Sequence, residues 1–128
     1  MSDMYEGVRR IVEVDPRYDR AAYFFVFHAL DYTLERVDRR GHISVQTLLE
    51  GIRDFAREKF GYMARTVFES WRVTTTDDFG EIIFNLVDHD LMKKTDSDRK
   101  EDARGLYDFA EVFERDFALT AEELDAGR

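Results

Sequence analysis

The chain contains no cysteine, a single proline, one tryptophan and three histidines in 128 residues. Without thiols there is no disulfide framework, no thiolate zinc or iron–sulfur ligation and no cysteine nucleophile, a composition that suits a reducing compartment. Long apolar runs are missing too. No stretch approaches the roughly 20 apolar residues of a membrane-spanning helix, and no basic-then-apolar leader precedes the first charges. The expectation is a cytoplasmic protein without membrane association. Positive charge is in deficit, with 28 acids against 19 lysines and arginines for a formal charge of −9, which would repel a phosphate backbone over most of the surface. The deficit is concentrated: residues 1–95 carry 17 acids and 14 bases, residues 96–128 carry 11 and 5. No Gly-x-Ser-x-Gly, P-loop or dinucleotide fingerprint occurs, and Asp78-Phe79-Gly80 copies a kinase tripeptide without the glycine-rich loop and paired lysine that give it meaning.

What the chain has in quantity is apolar and aromatic mass. Hydrophobic residues make up 44%, with eleven phenylalanines and six tyrosines, enough for one core in a single domain of this length. The stretch Ala21–Val37 organises the rest. At 100° per residue, Tyr23, Val26, Phe27, Leu30, Leu34 and Val37 form one apolar face, and Ala22, Phe25, Ala29 and Tyr32 form a second beside it. Such a helix needs neighbours on two sides. Its polar strip is narrow, comprising Arg20, Asp31, Glu35, Asp38 and Arg39, and it includes Phe24 and His28.

Before it, residues 3–14 place Met4, Val8, Ile11 and Val12 at helical spacing, and Asp15-Pro16 ends that helix. Asp19 is placed to cap the central helix, and Gly41 to stop it. His42-Ile43-Ser44 opens the next helix with Ser44 as cap and Val45, Leu48, Leu49, Ile52, Phe55, Ala56 and Phe60 inward. After Gly61 a shorter helix from Tyr62 to Trp71 turns Met63, Ala64, Val67, Phe68 and Trp71 inward, with Trp71 expected to be largely buried. The hydroxyl-rich Thr74–Thr76 leads into a second heavily apolar helix ending about Leu91. Residues 93–98 read as a polar linker, 99–104 as a short helix, and Asp108 with Glu111 as the capping box of a last helix carrying Phe109, Val112, Phe113 and Phe117. Thr120 with Glu123 starts a final turn. The whole reads as an all-α single domain of five to six helices over residues 1–119, followed by a frayed acidic tail over 120–128.

The series Tyr32-Thr33, His42-Ile43-Ser44-x-Gln46-x-Leu48-Leu49-Glu50-Gly51-Ile52-Arg53 and Phe60-Gly61-x-Met63-Ala64 resembles a family of small bacterial proteins of unassigned function found in planctomycetes, verrucomicrobia and related phyla. The likeness continues through Trp71, Thr76-x-Asp78-Phe79-Gly80-Glu81-Ile82-Ile83-Phe84-Asn85-Leu86-Val87, Tyr107-Asp108-Phe109 and Phe113. It departs from the family pattern at Val45 and Arg72, where glycine is usual, and at Tyr62, where proline is usual. The resemblance implies no activity.

Two surface constellations stand out. Asp78, Glu81, Asn85, Asp88 and His89 follow one side of a helix by i, i+3 and i+4 steps, a row that could take a metal or a cationic ligand but that also serves as an ordinary polar face. No inward Glu-x-x-His pairs accompany it, so no metal and no cofactor is expected. Phe24, with His28, Arg20 and Glu35 around it, is the candidate partner-binding patch. The reading is a non-enzymatic interaction or regulatory module with no catalytic residues, whose partner is another protein or a second copy of itself. The alternative is a nucleic-acid-associated regulator of helix-turn-helix type, supported by the helix–Gly61–helix arrangement and a modest patch of Arg53, Arg57, Lys59 and Arg65. An enzyme or metal protein using the acidic row comes third.

Overall fold

Asp19 sets the start of the central helix. Its Oδ1 accepts the Ala21 N–H at 2.8 Å and its carbonyl accepts the Ala22 N–H at 3.0 Å. The computed structural model describes residues 2–37 and 43–115 and holds five α-helices: α1 (Ser2–Val14), α2 (Arg20–Val37), α3 (Val45–Phe60), α4 (Ala64–Ser70) and α5 (Thr76–Asp88). A 3-10 turn, Gly61–Met63, joins α3 to α4, and a second, Lys100–Ala103, and a π-helical turn, Glu111–Arg115, follow α5. Among the described residues there is no strand, and the helices pack as one all-α domain. The stop at Gly41, the role of His42, the inward Phe117, the turn at Thr120–Glu123 and the acidic tail all lie outside the described residues. Ser44 caps α3 as its sequence demands, its Oγ accepting the Thr47 N–H at 3.0 Å.

α2 is buried on a different line from the one its periodicity implies. Ala22, Tyr23, Phe25, Val26, Ala29 and Thr33 are buried, whereas Phe27, Leu30 and Leu34 are half-buried and Val37 is exposed. The cause is the close crossing of α2 and α3. A Cβ built on Gly51 would sit 1.7 Å from Thr33 Oγ1, so small residues must occupy the contact line and the bulkier leucines are rotated off it. Thr33 tolerates burial because its hydroxyl donates to the Ala29 carbonyl at 2.6 Å.

Phe68, on the short α4, is the hub of the core. It is fully buried, with ring centroids 5.0 Å from Phe79 and 5.4 Å from each of Phe25, Phe109 and Phe113. Trp71, expected to be largely buried, is half-buried. It sits at the edge of the same cluster, 5.4 Å from Phe25 and 6.2 Å from Phe60, because the helix ends one residue before it and the chain turns away. Met63, expected inward, is 45% exposed, since it lies in the 3-10 turn and not in a continuous helix.

Two helices end in Schellman motifs closed by residues other than glycine. After α4, Val73 N–H donates to the Phe68 carbonyl and Arg72 N–H to that of Glu69, both at 2.9 Å, with Arg72 at φ 66°. After α5, Leu91 N–H donates to Leu86 at 2.8 Å and Asp90 N–H to Val87 at 3.0 Å, with Asp90 at φ 60°. This turn ends α5 at Asp88, short of the expected Leu91. Arg72 is held in the left-handed region by its guanidinium, which donates to the carbonyls of Arg17 at 2.8 Å and Pro16 at 3.2 Å. Asp90 has no such anchor among the described residues. Asp90→Gly should therefore stabilise the domain by about 1 kcal/mol by relieving the left-handed strain, read as a rise in the urea midpoint at unchanged slope. A lowered midpoint would show that the Asp90 carboxylate holds the turn.

Candidate functional site

The acidic row of α5 lies against other parts of the chain. Asp78 completes a capping box with Thr75, and its carboxylate accepts the Tyr18 hydroxyl at 2.7 Å and the Thr74 N–H at 2.9 Å. Glu81 meets Lys100 at 3.1 Å and Arg17 at 3.3 Å. Asn85 donates to Asp15 Oδ2 at 2.9 Å and to the hydroxyl of the fully buried Tyr23 at 3.1 Å. Asp88 and His89 stay exposed, with His89 Nδ1 2.9 Å from the Asn85 carbonyl. The row thus welds α5 to the 15–18 connection, and no three His, Asp or Glu side chains among the described residues are grouped to hold a metal ion. Sequence periodicity put these residues on one side of a helix correctly; it had no means of showing that the α1–α2 connection covers that side.

Asp15 makes this seam acid-sensitive. The Arg17 guanidinium, at 2.7 and 2.9 Å, holds its carboxyl well below the ordinary carboxylate range, against the opposing effect of burial and with further help from Asn85. A depressed native value means that the stabilisation is complete above the unfolded-state value near about 4 and is lost as the pH falls below it. The urea midpoint should drop between pH 5 and 2.5 (roughly the span that brackets that value), and Asp15→Asn should flatten the drop. An unchanged slope in the variant would remove Asp15 from the account.

A different surface collects unpaired chemistry. Phe25, His28, Asp31, Tyr32 and Glu35 of α2 and Phe55, Lys59 and Phe60 of α3 line an open groove of about 550 Å³. Its floor is aromatic. Phe25 stands 5.4 Å from Phe55 and 5.8 Å from Phe60, and Tyr32 stands 5.1 Å from Phe55. Phe55, Phe60 and Tyr32 are each only half-buried. On the rim, Lys59 lies 5.6 Å over the Phe55 ring, while His28, Asp31 and Glu35 are exposed and form no ion pair among the described residues. Beside the groove, Arg36 reaches Asp54 at 3.5 Å and donates to the Tyr32 hydroxyl, which fixes that ring.

Of the candidate partner patch, His28 and Glu35 fall on this rim. Phe24 and Arg20 do not line it. Phe24 is half-buried, its ring 5.0 Å from Tyr5, because α1 packs across the side of α2 where Phe24 was expected to face solvent. Arg20 is exposed at the start of the helix. Phe25, Tyr32, Phe55 and Phe60 were read from sequence as inward residues only. The available signal was the concentration of rings at the facing positions of two adjacent amphipathic helices.

α4 has seven residues, two of which, Ala64 and Phe68, are buried, and its one base, Arg65, is engaged by Glu114 at 3.1 Å and Glu69 at 3.6 Å. Arg53 is likewise paired with Asp54 at 3.0 Å. No helix among the described residues is long and apolar enough to cross a membrane. The chain matches no family model, no curated protein and no solved structure.

Proposed function

We propose that this chain is a non-enzymatic cytoplasmic interaction module, which holds a basic segment of another protein in the groove between α2 and α3. The observation that carries the reading is the pairing of an aromatic floor, the buried Phe25 with the half-exposed Tyr32, Phe55 and Phe60, with two carboxylates, Asp31 and Glu35, that no cation neutralises among the described residues. Aromatic rings that remain accessible in a concave surface favour an inserted side chain, and a guanidinium gains both from their faces and from the carboxylates at the rim. Lys59 already occupies the Phe55 face in this way, so the site accommodates a cation there. A chain without thiols suits the reducing cytoplasm.

The test is a titration of the isotope-labelled protein with short arginine- and tryptophan-containing peptides, followed residue by residue by NMR. Shifts mapping to α2 and α3 around Tyr32 and Phe55, weakened at least tenfold by Asp31→Lys with Glu35→Lys, are expected. Peptide shifts confined to other surfaces, or affinity unchanged by the charge reversal, would overturn the reading. A salt-dependent shift of RNA or DNA at physiological ionic strength would point instead to the nucleic-acid alternative.

A further inference from the structure

A second concavity shares no lining residue with the groove. It lies between α2, α3, α5 and the segment that follows α5, has a volume of about 420 Å³, and is walled by Leu30, Val45, Leu48, Ile83, Val87 and Leu91. That size falls in the range of about 300–1,000 Å³ typical of small-molecule sites. The walls are apolar, yet four charged residues line the same space: Asp90, Lys93, Lys94 and Asp98.

Asp98 is the anomaly. It is only 8% exposed, in a stretch whose sequence reads as a solvated linker. The backbone turns it inward: its Oδ2 accepts the Thr95 N–H at 3.0 Å and its own N–H donates to the Thr95 carbonyl at 3.1 Å. Among the described residues its Oδ1 takes no hydrogen bond and no cation neutralises it. That oxygen is not sealed off, since no fully buried side-chain oxygen among the described residues lacks a partner, so it stays open to a cationic group of a ligand. Lys93 has no partner among the described residues, and Lys94 reaches only the Thr95 carbonyl at 3.3 Å. Charges of both signs therefore line one cavity without pairing to each other.

We propose that this cavity binds a bulky apolar α-amino acid, with the ligand's ammonium on Asp98, its carboxylate on Lys93 and Lys94, and its side chain among Leu48, Ile83 and Val87. The charge pattern selects the class. A fatty carboxylate would bring an anion against Asp98, and a simple amine would meet the two lysines. A zwitterion satisfies both, and the apolar walls require a large hydrophobic tail.

The test is calorimetric titration of the full chain with free leucine, phenylalanine and tryptophan, against N-acetylleucine, octanoate and octylamine as single-charge controls. At least one of the three amino acids should bind, at least tenfold more tightly than any control. Asp98→Asn, which keeps an acceptor for the Thr95 N–H, should weaken the amino acid at least tenfold, and Lys93→Gln with Lys94→Gln should do the same. Leu48→Trp, which fills the cavity, should abolish binding. Failure of all three amino acids to bind in the millimolar range would overturn the proposal. So would equal binding of octanoate or N-acetylleucine, or an affinity indifferent to Asp98→Asn in a variant with native circular dichroism. The comparison among ligands on the unaltered chain decides the matter even if a variant fails to fold, and none of these outcomes touches the groove.

Discussion

Phe68→Ala is expected to destabilise the domain by about 3–5 kcal/mol, a large share of the roughly 5–15 kcal/mol that a domain of this kind has in total. Phe68 is completely buried, and its ring stands against those of Phe25, Phe79, Phe109 and Phe113 and, at 5.7 Å, Trp71. Truncation would leave a void bordered by side chains from α2, α5, the residue after α4 and the segment 109–113, so no single element can move in to fill it. Edge-on pairs such as Phe68 with Phe79 at 83° and with Phe113 at 82° would be lost as well. Urea unfolding followed by circular dichroism measures the change. A loss under about 1 kcal/mol would mean that the cluster closes over the gap, contrary to the interlocked packing described here.

Gly51→Ala should be almost as informative, because general helix propensity and this structure disagree on its sign. In an exposed helix interior the substitution gains about 1 kcal/mol. Here the added Cβ would lie 1.7 Å from Thr33 Oγ1, 2.9 Å from its Cβ and 3.1 Å from its Cγ2. Rotating Thr33 away would relieve only part of the overlap and would cost the hydrogen bond to the Ala29 carbonyl, so α2 and α3 must separate. The expected net effect is a loss of about 1–3 kcal/mol. Thr33→Ala in the same chain removes the two outer atoms and should recover most of the loss, giving a coupling of at least about 1 kcal/mol in a double-mutant cycle. A stabilised Gly51→Ala would contradict the close crossing.

Local grammar was legible wherever the partners are neighbours in the chain. Asp19 and Ser44 were read as caps because a carboxylate or hydroxyl ahead of an apolar repeat reaches an N–H two or three residues on, and both make those bonds. The Asp108–Glu111 box was half-legible: Asp108 accepts the Glu111 N–H at 3.1 Å, but the turn that follows is π-helical. The two Schellman ends were not legible, because Arg72 and Asp90 stand where glycine would have announced the stop.

By itself the sequence determined that the chain forms helices, roughly where each begins, and which side chains are apolar enough to seek a core, because spacing and capping act within a few residues. Only the tertiary structure decided which face of each helix is covered. It placed α1 over Phe24, set Thr33 and Gly51 at a crossing, and laid the 15–18 connection along Asp78, Glu81 and Asn85. It also left the rings of the α2–α3 groove half-open and turned Asp98 inward. Each of these depends on contacts between residues far apart in the chain, made by whichever packing buries the most apolar surface while leaving no buried polar atom without a partner, and that is a property of the whole chain at once.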